Sequence, residues 1–309
     1  MFDQFQIIAA PMAGITDGPF RTILRRCNPG LPIMTEMISC HSITAKKGGR
    51  NDDEYAKENT GAQIFGADPV LMAEAARILA GRGAAWIDIN MGCPVPKVAT
   101  RAGAGAFLML DHALAARIMA AVVGAVKIPV SIKTRLGWDE KHLDSADLLR
   151  IAAESGVAFA AVHARTRAQG YSGRARPREI PMPQKIPVIF NGDIRTATDV
   201  AAVRDMGAAG AMIGRAMLGH PFVFSEVGCL SMKDTSDFCK KSPHRIAEIV
   251  AEHFDLAMSY YGAKTGVPMF RKHLAWYAAG RQGASTFRMR VNQITDPAEM
   301  QKAIAEFFI

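Results

Sequence analysis

The chain has 309 residues, of which 49% are apolar and 21% are charged. This composition excludes a disordered or fibrous chain, and the length is sufficient for one large barrel of about 250 residues with a small appendage. Thirty-seven basic against 29 acidic side chains give a net charge of +8. That excess suits a polyanionic partner, although general basic solubility explains it equally well until the charges are located.

The N-terminus and the cysteines both point to a reducing compartment. The chain does not open with a basic, apolar secretory signal, and it has no run of about 18 apolar residues. We therefore expect a cytoplasmic protein that does not enter a membrane, and we see no signal for a stable protein partner. The five cysteines are widely spaced and form no C-x-x-C pair, which argues against disulfides and a structural metal site.

Short β-rich apolar runs alternate with alanine-rich helical runs over the first three quarters of the chain, which predicts βα units around a parallel sheet. The predicted strands are 7–14, 32–37, 62–66, 84–92, 129–137, 159–166, 187–194 and 210–214. Eight strands favour a closed (β/α)8 TIM barrel over an open sheet. Helix starts at Asp68-Pro69 and at Thr196 support this register. The proline-rich segment 176–186 predicts a shortened crossover between strands six and seven.

The strand pattern stops near residue 230, and a polar stretch leads to Ser242-Pro243, which predicts a helix start. Amphipathic runs at 246–261 and 268–279 follow, and Asp296-Pro297 opens a final helix. We therefore expect a barrel domain over 1–235 and a small C-terminal α-helical bundle over 242–309.

Functional groups of a (β/α)8 barrel come from the carboxyl ends of its strands. The last two predicted strands end in Asn191-Gly192-Asp193 and Gly214-Arg215. Their glycines would let backbone N–H groups approach an anion, and the arginine adds donors, so the pair predicts a phosphate site. Each motif taken alone is also explained as a tight turn or a strand exit.

Three further side chains at predicted strand ends are candidates for chemistry. Cys93 lies in a turn after a strand and is followed by Lys97 and Arg101, which suits a reactive thiol, although a structural cysteine remains the alternative. Lys133 ends a strand where a solvated lysine would be unusual, so we expect a ligand contact more than a structural ion pair. His163 either binds a ligand or is satisfied by its barrel neighbours.

Six motifs stand along the chain. They are Ala10-Pro11-Met12-Ala13-Gly14-Ile15-Thr16-Asp17, Asp88-Ile89-Asn90-Met91-Gly92-Cys93-Pro94, His163-Ala164-Arg165-Thr166-Arg167, Asn191-Gly192-Asp193-Ile194, Met212-Ile213-Gly214-Arg215-Ala216 and Phe270-Arg271-Lys272-His273-Leu274-Ala275-Trp276-Tyr277. Together these motifs resemble the bacterial tRNA-dihydrouridine synthase family, and among its subfamilies the B type. The resemblance covers nearly the whole chain, in order and spacing. The shortened segment 176–186 is the main departure from the family pattern.

The resemblance implies an FMN at the mouth of the barrel, NADPH as its reductant and a D-loop uridine of tRNA as the substrate. The implied FMN contacts are Pro11, Met12, Gln63, Lys133, His163, Asn191, Asp193, Gly214 and Arg215. Asn90 would place the uracil and Cys93 would be the proton donor. We expect further substrate contacts from Lys97, Arg101, Arg135, Arg165, Arg271 and Lys272.

The chemistry is consistent with these residues. The C5=C6 bond of uracil is conjugated to the C4 carbonyl, so a hydride adds at C6 and C5 must then be protonated. A cysteine thiol is mostly protonated at neutral pH and can be that acid. No side chain supplies a hydride, so a cofactor is required.

The positive charge is concentrated in one segment, residues 256–295, which has no acidic residue. Its basic residues are Lys264, Arg271, Lys272, Arg281, Arg288 and Arg290. The sign asymmetry predicts an RNA-binding surface, with Arg165 to Arg178 as a second cluster. The aromatic residues of the same segment are better explained as the core of the bundle than as base-stacking groups.

Two other functions each account for part of these features. A small-molecule flavin barrel such as a dihydroorotate dehydrogenase would not need the basic tail. A catalytically idle RNA-binding barrel would not need Cys93 beside a flavin pocket.

Overall fold

The computed structural model describes residues 4–45, 59–99, 102–182, 184–228 and 243–308. Contacts divide the chain into two units, Met1–Ile15 with Gly30–Gly214 and Thr16–Pro29 with Arg215–Ile309. Within the described ranges, no helix combines the length and apolar character needed to cross a bilayer.

The first unit is a closed parallel barrel of eight strands, as predicted. Its strands are β1 (Gln6–Ala9), β2 (Ile33–Met34), β4 (Thr60–Phe65), β5 (Trp86–Asn90), β6 (Val130–Arg135), β7 (Phe159–His163), β8 (Val188–Asn191) and β9 (Gly210–Ile213). Each strand pairs in parallel with the next around the ring, and the β1–β9 and β2–β4 pairings close it. A short additional strand, β3 (Ile38–Ser39), pairs with β4 beyond β2. Strand β3 lies just beyond the predicted strand 32–37, and the sequence did not predict it.

Helices connect the strands of the barrel. They are α2 (Cys40–Thr44), α3 (Pro69–Gly81), α4 (Pro96–Ala99), α5 (His112–Ala125), α6 (Ser145–Glu154) and α7 (Ala197–Asp205). The Asp68 carboxylate accepts from the N–H groups of Val70 and Leu71 at the start of α3, and Thr196 with Asp199 forms a capping box on α7. Both predicted starts are confirmed. The crossover from β7 to β8 contains only the single 3-10 turn Pro177–Glu179 among its described residues, because proline cannot supply helical N–H donors.

The interior of the barrel is filled in layers, because side chains of a strand alternate between its two faces. An apolar layer contains Trp86 and Phe159, whose ring centroids are 6.4 Å apart. Two residues further along β5, on the same face, lies the buried Asp88, and two further still lies Asn90. The interior therefore changes from apolar to polar towards the carboxyl ends of the strands, where a site is expected.

The second unit is helical. It contains α1 (Gly18–Cys27), α8 (Val223–Glu226), α9 (Pro243–Tyr261), α10 (Ala263–Tyr277), α11 (Ala284–Val291) and α12 (Pro297–Phe308). Its core includes Ile23 and Phe222 as well as Phe254, Phe270 and Phe287. The aromatic residues that the sequence assigned to the bundle core include Phe270, Tyr277 and Phe287, and these three are buried. The predicted starts at Pro243 and Pro297 are confirmed, whereas Ser242 lies outside the described residues.

Candidate active site

Polar side chains meet where the strands of the barrel end. The strand register places Asn90 beside Lys133, Arg135 beside His163, and His163 beside Asn191. Since these strands are parallel, their carboxyl ends share one rim of the barrel. The structure thus brings together the strand-end residues that the sequence selected on β5 to β8.

A chain of hydrogen bonds runs from the barrel interior to the loop that carries Cys93. Asn90 Nδ2 donates to Gln63 Oε1 at 2.8 Å, and Gln63 Nε2 donates to Asp88 Oδ2 at 2.7 Å. On its other side, Asn90 Oδ1 accepts from the backbone N–H groups of Gly92 at 3.2 Å and Cys93 at 3.0 Å. Asn90 and Gln63 therefore fix the turn that presents the thiol.

Cys93 is a free, half-buried thiol. Its carbonyl accepts from the N–H of Ala106 at 3.2 Å, which ties the turn to the segment after α4. Gly105, at a φ of +58°, is required here, because a Cβ on it would lie 3.1 Å from the Cys93 carbonyl oxygen and 3.2 Å from Cys93 Cβ. Cys27 and Cys40 are buried instead, so Cys93 is the accessible thiol among the described cysteines.

Lys133 projects from β6 into the same rim. Its Nζ donates to Asn191 Oδ1 at 3.2 Å, and Asn191 Nδ2 donates to the Met212 carbonyl at 2.8 Å. Desolvation lowers the pKa of Lys133 to about 8, with a further contribution from the nearby Arg135 cation and an opposing one from Asp88. An ammonium that keeps unused donor positions after one bond to Asn191 is suited to a polar or anionic ligand.

Arg165 lies inside the loop after β7 and is 1% exposed. It donates to Asp193 Oδ2 at 2.6 Å, to His163 Nε2 at 3.2 Å and to the Gly173 carbonyl at 2.7 Å. Asp193 adopts a φ of +53° and also accepts from the Ala175 N–H at 2.9 Å. Arg165 therefore organises the β7 and β8 loops, and an RNA contact by its guanidinium stays a prediction.

Gly192 lets these two loops approach each other. At a φ of +117°, a Cβ on this residue would lie 2.9 Å from His163 Cδ2 and 3.0 Å from the Ala175 side chain. The need for glycine at this position thus comes from close packing, whereas the sequence pattern suggested an approaching anion.

Arg135 is also buried, at 3% exposure. It donates to the carbonyls of Gly92 at 2.7 Å, Thr166 at 3.1 Å and Gly170 at 2.8 Å. These bonds connect the turn before Cys93 with the loop after β7. A role of Arg135 in substrate binding stays a prediction, and the observed bonds give it a role in holding the rim.

The predicted FMN contacts at the ends of β1 and β9 lie in the segments that follow these strands. Pro11 and Met12 are half-buried in a turn where the Met12 carbonyl accepts from the Ile15 N–H at 3.0 Å. Gly14 donates its N–H to the Glu36 carboxylate, a contact that sequence reasoning missed. Gly214 ends the first unit, and the exposed Arg215 begins the second. The side chain of Lys97 and the whole of Arg101 lie outside the described residues.

In the helical unit, Arg271 and Lys272 are half-buried on α10. Arg271 Nη2 donates to the Ile294 carbonyl at 2.8 Å. Arg290 pairs with Glu306 at 2.6 Å, and Arg281 lies over the Phe308 ring, 5.0 Å from its centroid. Lys264 and Arg288 are exposed. The basic segment therefore contains both structural and exposed cations.

A closed parallel barrel whose rim carries a thiol, an ammonium and ordered amides has the architecture of an α/β-barrel enzyme. A solved structure titled as a variant of NCR from Zymomonas mobilis shares the fold, with a TM-score of 0.51, 14% identity and coverage of 78% of this chain and 92% of that one.

Sequence comparison defines the family. The model described as "Dihydrouridine synthase (Dus)" matches residues 7–308. A "Probable tRNA-dihydrouridine synthase" of Rickettsia conorii is 40% identical over 98% of this chain and 93% of that protein. The "tRNA-dihydrouridine synthase B" of Xanthomonas campestris is 39% identical over 98% and 92%. This chain belongs to the dihydrouridine synthase family, a family of oxidoreductases, as its sequence motifs predicted.

Proposed function

We propose that the protein reduces the C5=C6 bond of a D-loop uridine in tRNA, using FMN that is reduced by NADPH. The observation that carries this proposal is the half-buried Cys93 thiol, held by Asn90 at the same barrel rim as Lys133 and Asn191. The relatives named as tRNA-dihydrouridine synthases support the substrate. A cytoplasmic location follows from that substrate.

The Lys133 ammonium at the rim supports the binding of a flavin through its polar ring edge. Lys133 retains donors beyond its bond to Asn191, and a half-buried cation is an effective partner for an electron-rich heterocycle or an anion. We assign the ring edge to Gln63, Lys133 and His163, and the ring face to Pro11 and Met12. Asn191, Asp193, Gly214 and Arg215 would serve the phosphate end. When bound, FMN supplies the hydride for uracil C6, which no side chain can supply.

The protein's own part in the reaction is to place and protonate the uracil. Asn90 orients the turn at Gly92 and Cys93, so the thiol is held at a defined position. After hydride addition at C6, negative charge develops towards C5 and O4, and the Cys93 S–H delivers its proton to C5.

The test separates the two half-reactions. Cys93→Ala should leave the yellow FMN complex and NADPH oxidation nearly unchanged, while dihydrouridine formation in transcript tRNA slows by roughly 100-fold or more, because a positioned acid is lost. Cys27→Ala is the control, since Cys27 lies in the buried core of the helical unit. Equal loss in both half-reactions would assign Cys93 a structural role, and colourless parent protein that FMN does not restore would contradict the flavin.

A further inference from the structure

Asp88 is a buried carboxylate to which the proposed reaction gives no role. It is fully buried in the middle of β5, and it forms no ion pair within the described part of the chain. Its Oδ1 accepts from Ser131 Oγ at 2.5 Å, and its Oδ2 accepts from Gln63 Nε2 at 2.7 Å. Burying a carboxylate is costly even when it is hydrogen-bonded, so its place beneath the site requires a reason.

The reason lies in the direction of the hydrogen bonds above it. An ionised carboxylate can only accept, so it draws the N–H₂ end of the Gln63 amide towards itself. The oxygen end of Gln63 then faces Asn90 and accepts from Nδ2 at 2.8 Å. This leaves the Asn90 oxygen facing the turn, where it accepts from the N–H groups of Gly92 and Cys93. Reversal of either amide would place two donors against each other.

We propose that Asp88 is a positioning residue, which acts through Gln63 and Asn90 to hold the turn that carries Cys93 in its reactive geometry. This inference rests on the proposed function, because it concerns the placement of the proton donor. Burial raises the pKa of Asp88 to about 6, with hydrogen bonds from Ser131 and Gln63 and the Lys133 charge opposing the rise. Both observed hydrogen bonds of Asp88 are accepted by its carboxyl oxygens, so the geometry gives it the part of an acceptor.

Ser131 makes this hypothesis testable without a disruptive change. A hydroxyl can donate or accept, so in Asp88→Asn the new amide can donate to Ser131 while its oxygen still accepts from Gln63. The direction of the chain is then kept. In Asp88→Asn combined with Ser131→Ala, the same orientation leaves a buried N–H₂ without a partner, and the opposite orientation reverses the chain.

The experiment measures kcat and KM for tRNA, with the rate of flavin reduction by NADPH as a separate readout. We expect Ser131→Ala and Asp88→Asn each to lower kcat by less than about twofold, and the double variant to lose about 10- to 100-fold, since small displacements of a reacting group have costs of that order. KM and flavin reduction should change by less than about twofold. Asp88→Ala, which removes the acceptor, should match the double variant where it folds.

A second readout does not depend on uridine chemistry. The alkylation rate of Cys93 by iodoacetamide, followed by mass spectrometry of its peptide, should rise severalfold in the double variant and stay near the parent value in both single variants. Additive kcat losses, or an unchanged alkylation rate in the double variant, would overturn the positioning role of Asp88. A parent enzyme that forms no dihydrouridine would overturn the proposed function instead, while the alkylation series would still decide the role of Asp88.

Discussion

Asp88 forms part of a sequence motif but was given no role by sequence reasoning, although a signal for it is present. Strand 86–90 reads Trp-Ile-Asp-Ile-Asn, and a period of two places Trp86, Asp88 and Asn90 on one face. The carboxylate therefore had to lie beneath Asn90, on the inner side of the barrel. Its partners Gln63 and Ser131 come from the two adjacent strands, so they became identifiable only once the strand register was known.

The raised pKa of Asp88 has a consequence for stability. Its folded value of about 6 lies above the ordinary 3.8, so the folded protein binds this proton more tightly than the unfolded chain does. The contribution of protonated Asp88 to the free energy of unfolding is fully present below about pH 4. It is lost as the pH rises to about 6, at about 1.4 kcal/mol per pH unit.

Asp88→Asn should remove this dependence. We expect the variant's free energy of unfolding minus that of the parent to be larger at pH 7.5 than at pH 4.5, so the variant gains stability relative to the parent as the pH rises. Urea denaturation at both pH values measures the difference directly. The same variant-to-parent difference at both values would show that Asp88 titrates alike in the folded and unfolded chains.

Other residues at the rim show why strand ends were predictable but their contacts were not. Cys93, Lys133 and Asn191 could be selected because they follow apolar strand patterns. The burial of Arg135 and Arg165 could not be anticipated, because loop conformation brings their acceptors together. These are carbonyls of residues 92 and 166–173 and the Asp193 carboxylate. From sequence alone, a buried arginine cannot be told from an exposed one until the backbone carbonyls that its guanidinium contacts are known.

At the scale of elements, the eight strands were predictable because each is a short apolar run followed by a polar strand end. Their ends were placed up to five residues too far along, as at β1, which stops at Ala9. Strand β3 was missed, because it lies beyond the predicted strand 32–37 and its two residues are defined only by their pairing with β4. Helix α11 was also missed: its start at Gly283 has no side-chain cap, so no sequence signal marks it.

Helices α9 and α10 enclose two buried histidines. The rings of His253 and His273 lie 4.7 Å apart, and His253 Nδ1 is 3.1 Å from the Tyr277 hydroxyl. Desolvation lowers the pKa of His253 to about 3, with a smaller effect of Lys272, and desolvation lowers that of His273 well below its ordinary value. Both are therefore neutral in the folded unit and become charged on unfolding below about pH 6.5.

Mild acid should consequently lower the stability of the helical unit at pH values where the two histidines of the folded protein are still neutral. The contribution of the two neutral histidines to the free energy of unfolding is fully present above about pH 6.5. Below that value it falls with the pH, at about 1.4 kcal/mol per pH unit for each histidine. Protection factors for hydrogen exchange of peptides from α9 and α10, which correct for the slower intrinsic exchange in acid, should fall from pH 7 to pH 5. His253→Phe should make that dependence shallower. The variant will be less stable at pH 7, because the Tyr277 hydroxyl loses its partner. Equal pH dependence in variant and parent would contradict a neutral, buried His253.

At the scale of the whole molecule, the basic segment is expected to serve the proposed tRNA substrate. Extruding a D-loop uridine costs a few kcal/mol, which contacts elsewhere on the RNA must offset. Lys264 and Arg288 are exposed, whereas Arg271 and Arg290 are bonded within the helical unit. The exposed pair is therefore the better choice for charge reversal.

Lys264→Glu with Arg288→Glu should raise the KM for tRNA and flatten the dependence of binding on salt, by somewhat under one logarithmic unit for each phosphate that the variant no longer binds. The flavin spectrum and NADPH oxidation should stay unchanged. Lys127→Glu is the matched control, since Lys127 is exposed just before the amino end of β6. If the double variant and the Lys127→Glu control bind tRNA alike across a salt titration, the arginines of 165–178 become the leading candidates for the RNA-binding surface.

Helix α1 belongs to the helical unit although it lies near the start of the chain. Its Ile23 and Cys27 share a core with residues of α9 to α12, and Asp17 at its start accepts from the Tyr261 hydroxyl at 2.6 Å. During synthesis on the ribosome, this helix emerges long before its packing partners are translated. Its apolar face therefore stays exposed until α9 to α12 have been synthesised. A premature stop codon before α9 would release a chain that exposes this face to chaperones and proteases.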